Sequence, residues 1–88
     1  KLLERFFNTL GKSPDLATLK ESDTKNALKV GAVDLLLLSR SIDKILAKEL
    51  RKMAENIGST VEVISTDTTE GEQFNNLGGI GAILRFMI

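Results

Sequence analysis

The chain has 88 residues, no cysteine and no histidine, and its 12 basic residues balance 12 acidic ones to a formal charge of zero. That length fits one small domain, which buries roughly 60% of the surface its unfolded chain exposes. The missing residue types exclude disulfides, thiolate metal sites and histidine general bases, and the even charge argues against a non-specific binder of nucleic acid or membrane surface.

Leu2, Leu3, Phe6, Phe7 and Leu10 recur at helical spacing, so an amphipathic helix is predicted from the start to Leu10, with Gly11 in the left-handed position that ends it. Lys1 already lies inside this pattern, so residues 1–88 read as a single domain cut from a longer protein. Ser13-Pro14-Asp15 is turn chemistry, and Leu16 to Leu19 is a weak edge strand. Ser22 or Asp23 caps a second helix through Val30, closed by Gly31. Ala32 to Ser39 is a strand whose leucines, Leu35 to Leu38, suit a central position covered on both faces. Its apolar run, Val33 to Leu38 around Asp34, is far too short to span a membrane, and no signal-peptide pattern is present.

Ile42, Ile45, Leu46, Leu50, Met53, Ala54 and Ile57 form one stripe of a long third helix ended by Gly58. Val61, Val63 and Ile64 mark the next strand. Thr69 with Glu72 reads as a capping box for a short fourth helix ending near Leu77, and Ile80 to Phe86 is the last strand. Strands alternating with helices imply crossover connections. The expected fold is α/β, a three-layer α/β/α sandwich with a mixed, mostly parallel sheet.

Several residues exceed what a core requires. Gly78-Gly79-Ile80-Gly81 follows a helix and precedes a strand, the reverse of a phosphate cradle, so it reads as a helix cap and a close strand approach. Asp67, Glu70 and Glu72 suit a helix N-terminus and show no pair of unlike carboxylates for acid–base work. Lys44, Lys48, Arg51 and Lys52 give the third helix a basic face, with Glu49 and Glu55 between them. Arg85 marks either an exposed sheet edge or a guanidinium reaching a carboxylate. Phe6 and Phe7 point about 100° apart on a helix, so both are core or one is an anchor for a partner.

Three stretches carry a resemblance: Gly31 to Ser39, Val61 to Phe74 with its Glu70-Gly71-Glu72-Gln73, and Gly78-Gly79-Ile80-Gly81-Ala82-Ile83-Leu84-Arg85-Phe86. Together with Lys1 to Phe7 they resemble the C-terminal domain of the archaeal and eukaryotic type of peptide chain release factor subunit 1. The Pelota family of ribosome rescue factors shares this domain, but its loop before Gly-Glu-Gln usually carries histidine, where this chain has Ser65 to Glu70. The resemblance implies a sandwich related to kink-turn-binding ribosomal proteins. It implies a cytoplasmic, non-catalytic domain with no cofactor or metal, since the Asn-Ile-Lys-Ser and Gly-Gly-Gln motifs of the other domains are absent here. Its partners would be the translational GTPase (elongation factor 1-alpha or the class II release factor), the ABC-type recycling ATPase and, through the full-length protein, the ribosome. The docking surface carried over comprises Arg5, Phe6, Phe7, Gly81, Ile83, Leu84, Arg85 and Phe86. One departure stands out. Release factors insert a minidomain between the leucine-rich strand and the long helix, whereas here Ser39-Arg40-Ser41 passes into Ile42-Asp43, so the insert is missing or unresolved near 39–43.

Two other classes are weaker. A kink-turn RNA module would need a continuous basic loop, which the acidic Asp67, Glu70 and Glu72 segment opposes. An enzyme would need an acid–base constellation that is not visible.

Overall fold

The computed structural model of the chain describes residues 2–88. Its elements are α1 (Leu2–Lys12), a 3-10 turn (Pro14–Leu16), β1 (Ala17–Thr18), α2 (Glu21–Lys29), β2 (Val33–Ser39), α3 (Lys44–Asn56), β3 (Thr60–Ile64), α4 (Thr69–Asn76) and β4 (Ile80–Leu84). The strands form one sheet in the order β1-β4-β2-β3. No described helix is long and apolar enough to cross a membrane.

The sheet is mixed, as expected, but not mostly parallel. Only β2 and β3 pair in parallel; β4 runs antiparallel to both β1 and β2. The reason lies in α4. Its 8 residues rise ~12 Å, too little to carry the chain back along a seven-residue strand of ~23 Å. The chain instead turns at Gly78 and Gly79, whose φ angles are +118° and +71°. Gly79 C=O then accepts the Ser39 N–H at 2.7 Å, so β4 starts beside the end of β2.

The leucine run of β2 divides as its alternation requires. Leu36 and Leu38 pack with Ala27 and Leu28 of α2, Leu50 and Ala54 of α3, and Ile80, Ala82 and Leu84 of β4. Leu35 and Leu37 pack on the opposite face with Leu3 and Phe6 of α1, Phe74 of α4, and Ile83. Three layers result, with the sheet in the middle.

Several local expectations are corrected. α1 continues through Gly11 to Lys12, because Gly11 is not left-handed and the chain is first broken at Ser13-Pro14. α2 starts earlier than Ser22, with Lys20 as N-cap and no side-chain cap. The cap of α4 is Thr68, whose Oγ1 accepts the Gly71 N–H at 3.0 Å; Thr69 is already helical. α3 begins after Asp43, which caps Leu46 N–H, and Ile45 is 80% exposed rather than part of the core stripe. β4 ends at Leu84, two residues short of Phe86.

At Gly81 the Phe6 ring of α1 packs directly on the backbone of β4. A Cβ there would lie 2.7 Å from Phe6 Cζ and 3.1 Å from Thr18 O. Gly81→Ala is therefore expected to destabilise the fold by about 1–3 kcal/mol, as overpacked cores do. Adding Phe6→Leu should recover part of that loss in a urea double-mutant cycle. Thr68→Ala should cost about 1 kcal/mol through the lost cap, whereas Thr69→Ala should stay within about 0.5 kcal/mol in the same assay.

Candidate functional site

All five residues of β4 are buried, because it lies between β1 and β2 with helices on both faces. Ile83 and Leu84 join opposite cores, and Gly81 lies under the Phe6 ring. Phe6 itself has 0% exposure and meets Phe74 edge-to-face at 5.6 Å between ring centroids. Four of the residues expected on the docking surface, Phe6, Gly81, Ile83 and Leu84, are thus sealed inside, and their side chains cannot touch a partner. Spacing alone could not separate Phe6 from Phe7, since both fit a wide apolar stripe.

The other four divide into two places. Three gather where β4 leaves the sheet beside the start of β2. Arg85 N–H donates to Ala32 O at 2.7 Å, which holds the strand exit against the chain before β2. The Arg85 guanidinium then folds back, donating to Val33 O through Nε at 3.2 Å and through Nη2, and to Ile57 O through Nη2 at 3.4 Å. Ile57 is the C-cap of α3, so the cation sits at the negative end of that helix. Arg85 therefore anchors on carbonyls, not on a carboxylate. Its Nη1 makes no hydrogen bond among the described residues. Phe86 follows, 46% exposed.

Arg5 belongs to the same end. Its Nη2 lies 3.2 Å from Asp34 Oδ2, on the residue next to Val33. Asp34 sits at a register shift between Val33 and Leu35, which lifts it out of the β2–β4 ladder into solvent. Both side chains are about half exposed, so this pair orients Arg5 more than it stabilises the fold. Sequence reading missed the Arg5–Asp34 contact; a charge inside an otherwise apolar strand was the available signal.

Phe7 points elsewhere. Its half-buried ring is tilted against Phe6 at 5.6 Å and lines a cleft with Leu2, Val63 and Ile64. The structure does not bring it to Phe86.

Gly79 occupies a crowded turn, where a Cβ would lie 2.7 Å from Ile42 Cγ2 and 2.9 Å from Ser39 Cβ. Asp67, Glu70 and Glu72 are exposed around the first turn of α4. Among the described residues, no group of three or more acidic side chains converges to hold a metal ion. Lys44, Lys48, Arg51 and Lys52 line the outer side of α3 and make no ion pair among the described residues.

Comparison with known proteins gives this arrangement a family. The family model described as eRF1 domain 3 matches residues 1–88. The chain is 35% identical to the peptide chain release factor subunit 1 of Pyrococcus abyssi over 135 aligned positions, covering 100% of the chain and 33% of that relative. It is 38% identical to the protein pelota homolog of the same organism over 93 positions, covering 100% of the chain and 26% of the relative. The structure of S. cerevisiae Dom34, described as a translation termination-like factor interacting with Hbs1, superposes with a TM-score of 0.88 at 28% identity, covering 99% of the chain and 26% of Dom34. The chain spans a third or less of the length of these relatives. On its full length and fold, the chain belongs to the eRF1 domain 3 family.

Proposed function

We propose that this chain is the C-terminal domain of a class I peptide chain release factor that docks a translational GTPase and performs no chemistry itself. The observation that carries this reading is the match of the entire chain to eRF1 domain 3. The interaction of Dom34 with Hbs1 is consistent with a docking role for this fold. Through the full-length protein the domain would support ribosome release and recycling by an ABC-type ATPase in the cytoplasm.

The docking surface is the sheet end that carries Arg5, Arg85 and Phe86. An exposed aromatic beside an arginine is the composition of an interface anchor. Arg85 is already held by Val33 and Ile57 carbonyls, so little side-chain freedom is lost when a partner engages Nη1. Phe7 lies on the flank and Phe6, Gly81, Ile83 and Leu84 act by holding α1 and the β4 exit in place.

A second reading, a Pelota-type rescue factor, is favoured by one observation. The release factor alignment spans 135 positions, 47 more than the 88 residues of the chain, whereas the Pelota alignment spans 93. Between β2 and α3 the chain makes only a short turn, in which Ile42 N–H donates to Ser39 O. A Gly-Gly-Gln motif upstream in the full-length protein would mark termination, and its absence rescue. The kink-turn RNA reading has less support: the glycine turn at Gly78 and Gly79 is preceded by Asn75, Asn76 and Leu77, not by lysine or arginine.

A pull-down with the translational GTPase tests the surface. Phe86→Ala is expected to weaken capture at least tenfold without moving the urea midpoint. Arg85→Ala should weaken capture and also destabilise by about 1–2 kcal/mol, the scale of lost charged hydrogen bonds. Unchanged capture by both variants would remove this surface.

A further inference from the structure

β3 is a bare sheet edge, with β2 on one side only. A parallel ladder uses the backbone groups of alternate residues. Arg40 N–H donates to Ile64 O at 2.9 Å, which sets the phase. Thr60, Glu62 and Ile64 turn their backbone groups towards β2, and Val61 and Val63 turn theirs outward. Among the described residues nothing hydrogen-bonds to those outward groups. Edges of this kind are templates for another strand unless blunted by proline, a bulge or a covering element. β3 has no proline, and its register with β2 is unbroken from Leu35↔Thr60 to Ser39↔Ile64.

The surroundings specify what would pair there. The edge opens on a cleft of about 570 Å³ between α1 and β3, lined by Leu2, Phe7, Val63 and Ile64 together with Glu4 and Glu70. No lysine or arginine lines it. Side chains alternate along the strand. Val61 packs towards the α2–α3 core, so Val63 shares that face, where it is 42% exposed. Ile64 packs towards the α1–α4 core, and Glu62 shares that face. A strand laid on the edge would meet an apolar neighbour and a carboxylate in alternation.

We propose that the β3 edge and its cleft accept an extended segment of a partner protein as a fifth strand, with valine-like residues beside Val63 and lysine or arginine beside Glu62. This site is separate from the surface carrying Arg85 and Phe86. Backbone hydrogen bonds to Val61 and Val63 would hold the segment, and side-chain alternation would select it. A second copy of the chain is the poorer occupant, because pairing two β3 strands puts two Glu62 carboxylates on one face. A polyanion is repelled by Glu4, Glu62 and Glu70.

The probe is the blocked hexapeptide acetyl-Lys-Val-Lys-Val-Lys-Val-amide, titrated into the isotope-labelled chain and followed by NMR. Amide shift changes are expected over residues 60–65, largest at Val61 and Val63. Glu62→Lys should weaken binding at least tenfold. Val63→Pro removes one outward N–H while leaving the ladder to β2 intact, and a folded Val63→Pro chain should lose binding. The same peptide N-methylated at alternate residues keeps its charge and should bind at least tenfold more weakly. Binding of the N-methylated peptide within twofold of the parent would overturn the proposal, since charge alone would then suffice. So would shift changes centred outside residues 60–65, or a concentration-dependent dimer through β3 without peptide.

Discussion

Double coverage of β2 and β4 is the constraint from which the rest follows. Both strands are inner strands, and helices lie on both faces, so every side chain they carry between Leu35 and Leu38 or between Ile80 and Leu84 is consumed by packing. Gly81 makes that coverage possible on one side, because only a bare backbone admits the Phe6 ring. Phe6 in turn fixes α1 on the sheet and thereby sets where Arg5 and Phe7 emerge. With its centre filled, the sheet can present recognition groups only at strand exits and free edges.

The exit of β4 shows how such a group is built. The strand stops at Leu84, and the next residue spends its N–H on Ala32 and its guanidinium on Val33 and Ile57. One arginine thus joins β4, the start of β2 and the C-terminus of α3. The residue that closes the fold is itself exposed, as is Phe86 after it. Stability and the proposed recognition share a residue, so the two have to be separated by measuring both in each variant. The domain's neutral charge hides an uneven distribution: the outer side of α3 is mostly basic, while the charged residues lining the α1–β3 cleft are both carboxylates. A composition-level argument about partners cannot see that split.

Much of the fold was legible because its signals are local. The apolar periodicity of Leu2 to Leu10, the stripe ending at Ile57 and the uninterrupted Leu35 to Leu38 run each point to one element. What failed depended on distance in space. Strand direction turned on the short α4 and on the return of Gly79 to Ser39, which no spacing rule encodes. Ile45 carries the right residue type for a core but lies about 100° from Leu46, on the solvent side of α3. Phe6 and Phe7 are equivalent as letters, yet Phe6 is fully buried and Phe7 only half-buried. For the candidate site, half of the residues that the resemblance carried over are buried: Phe6, Gly81, Ile83 and Leu84. The edge position of β3 was written in the Val61-Glu62-Val63 alternation, which contrasts with the all-apolar run of β2, and was not read as an edge.

The central claim is that a sealed sheet presents its contacts at the β4 exit rather than through its inner strands or α3. Hydrogen–deuterium exchange on the chain, alone and with the translational GTPase bound, tests this most directly. Inner amides of β2 and β4 should exchange slowly in both states, and new protection should appear at residues 85–88 and in the first turns of α1. Protection confined to the outer face of α3, with residues 85–88 unchanged, would contradict it.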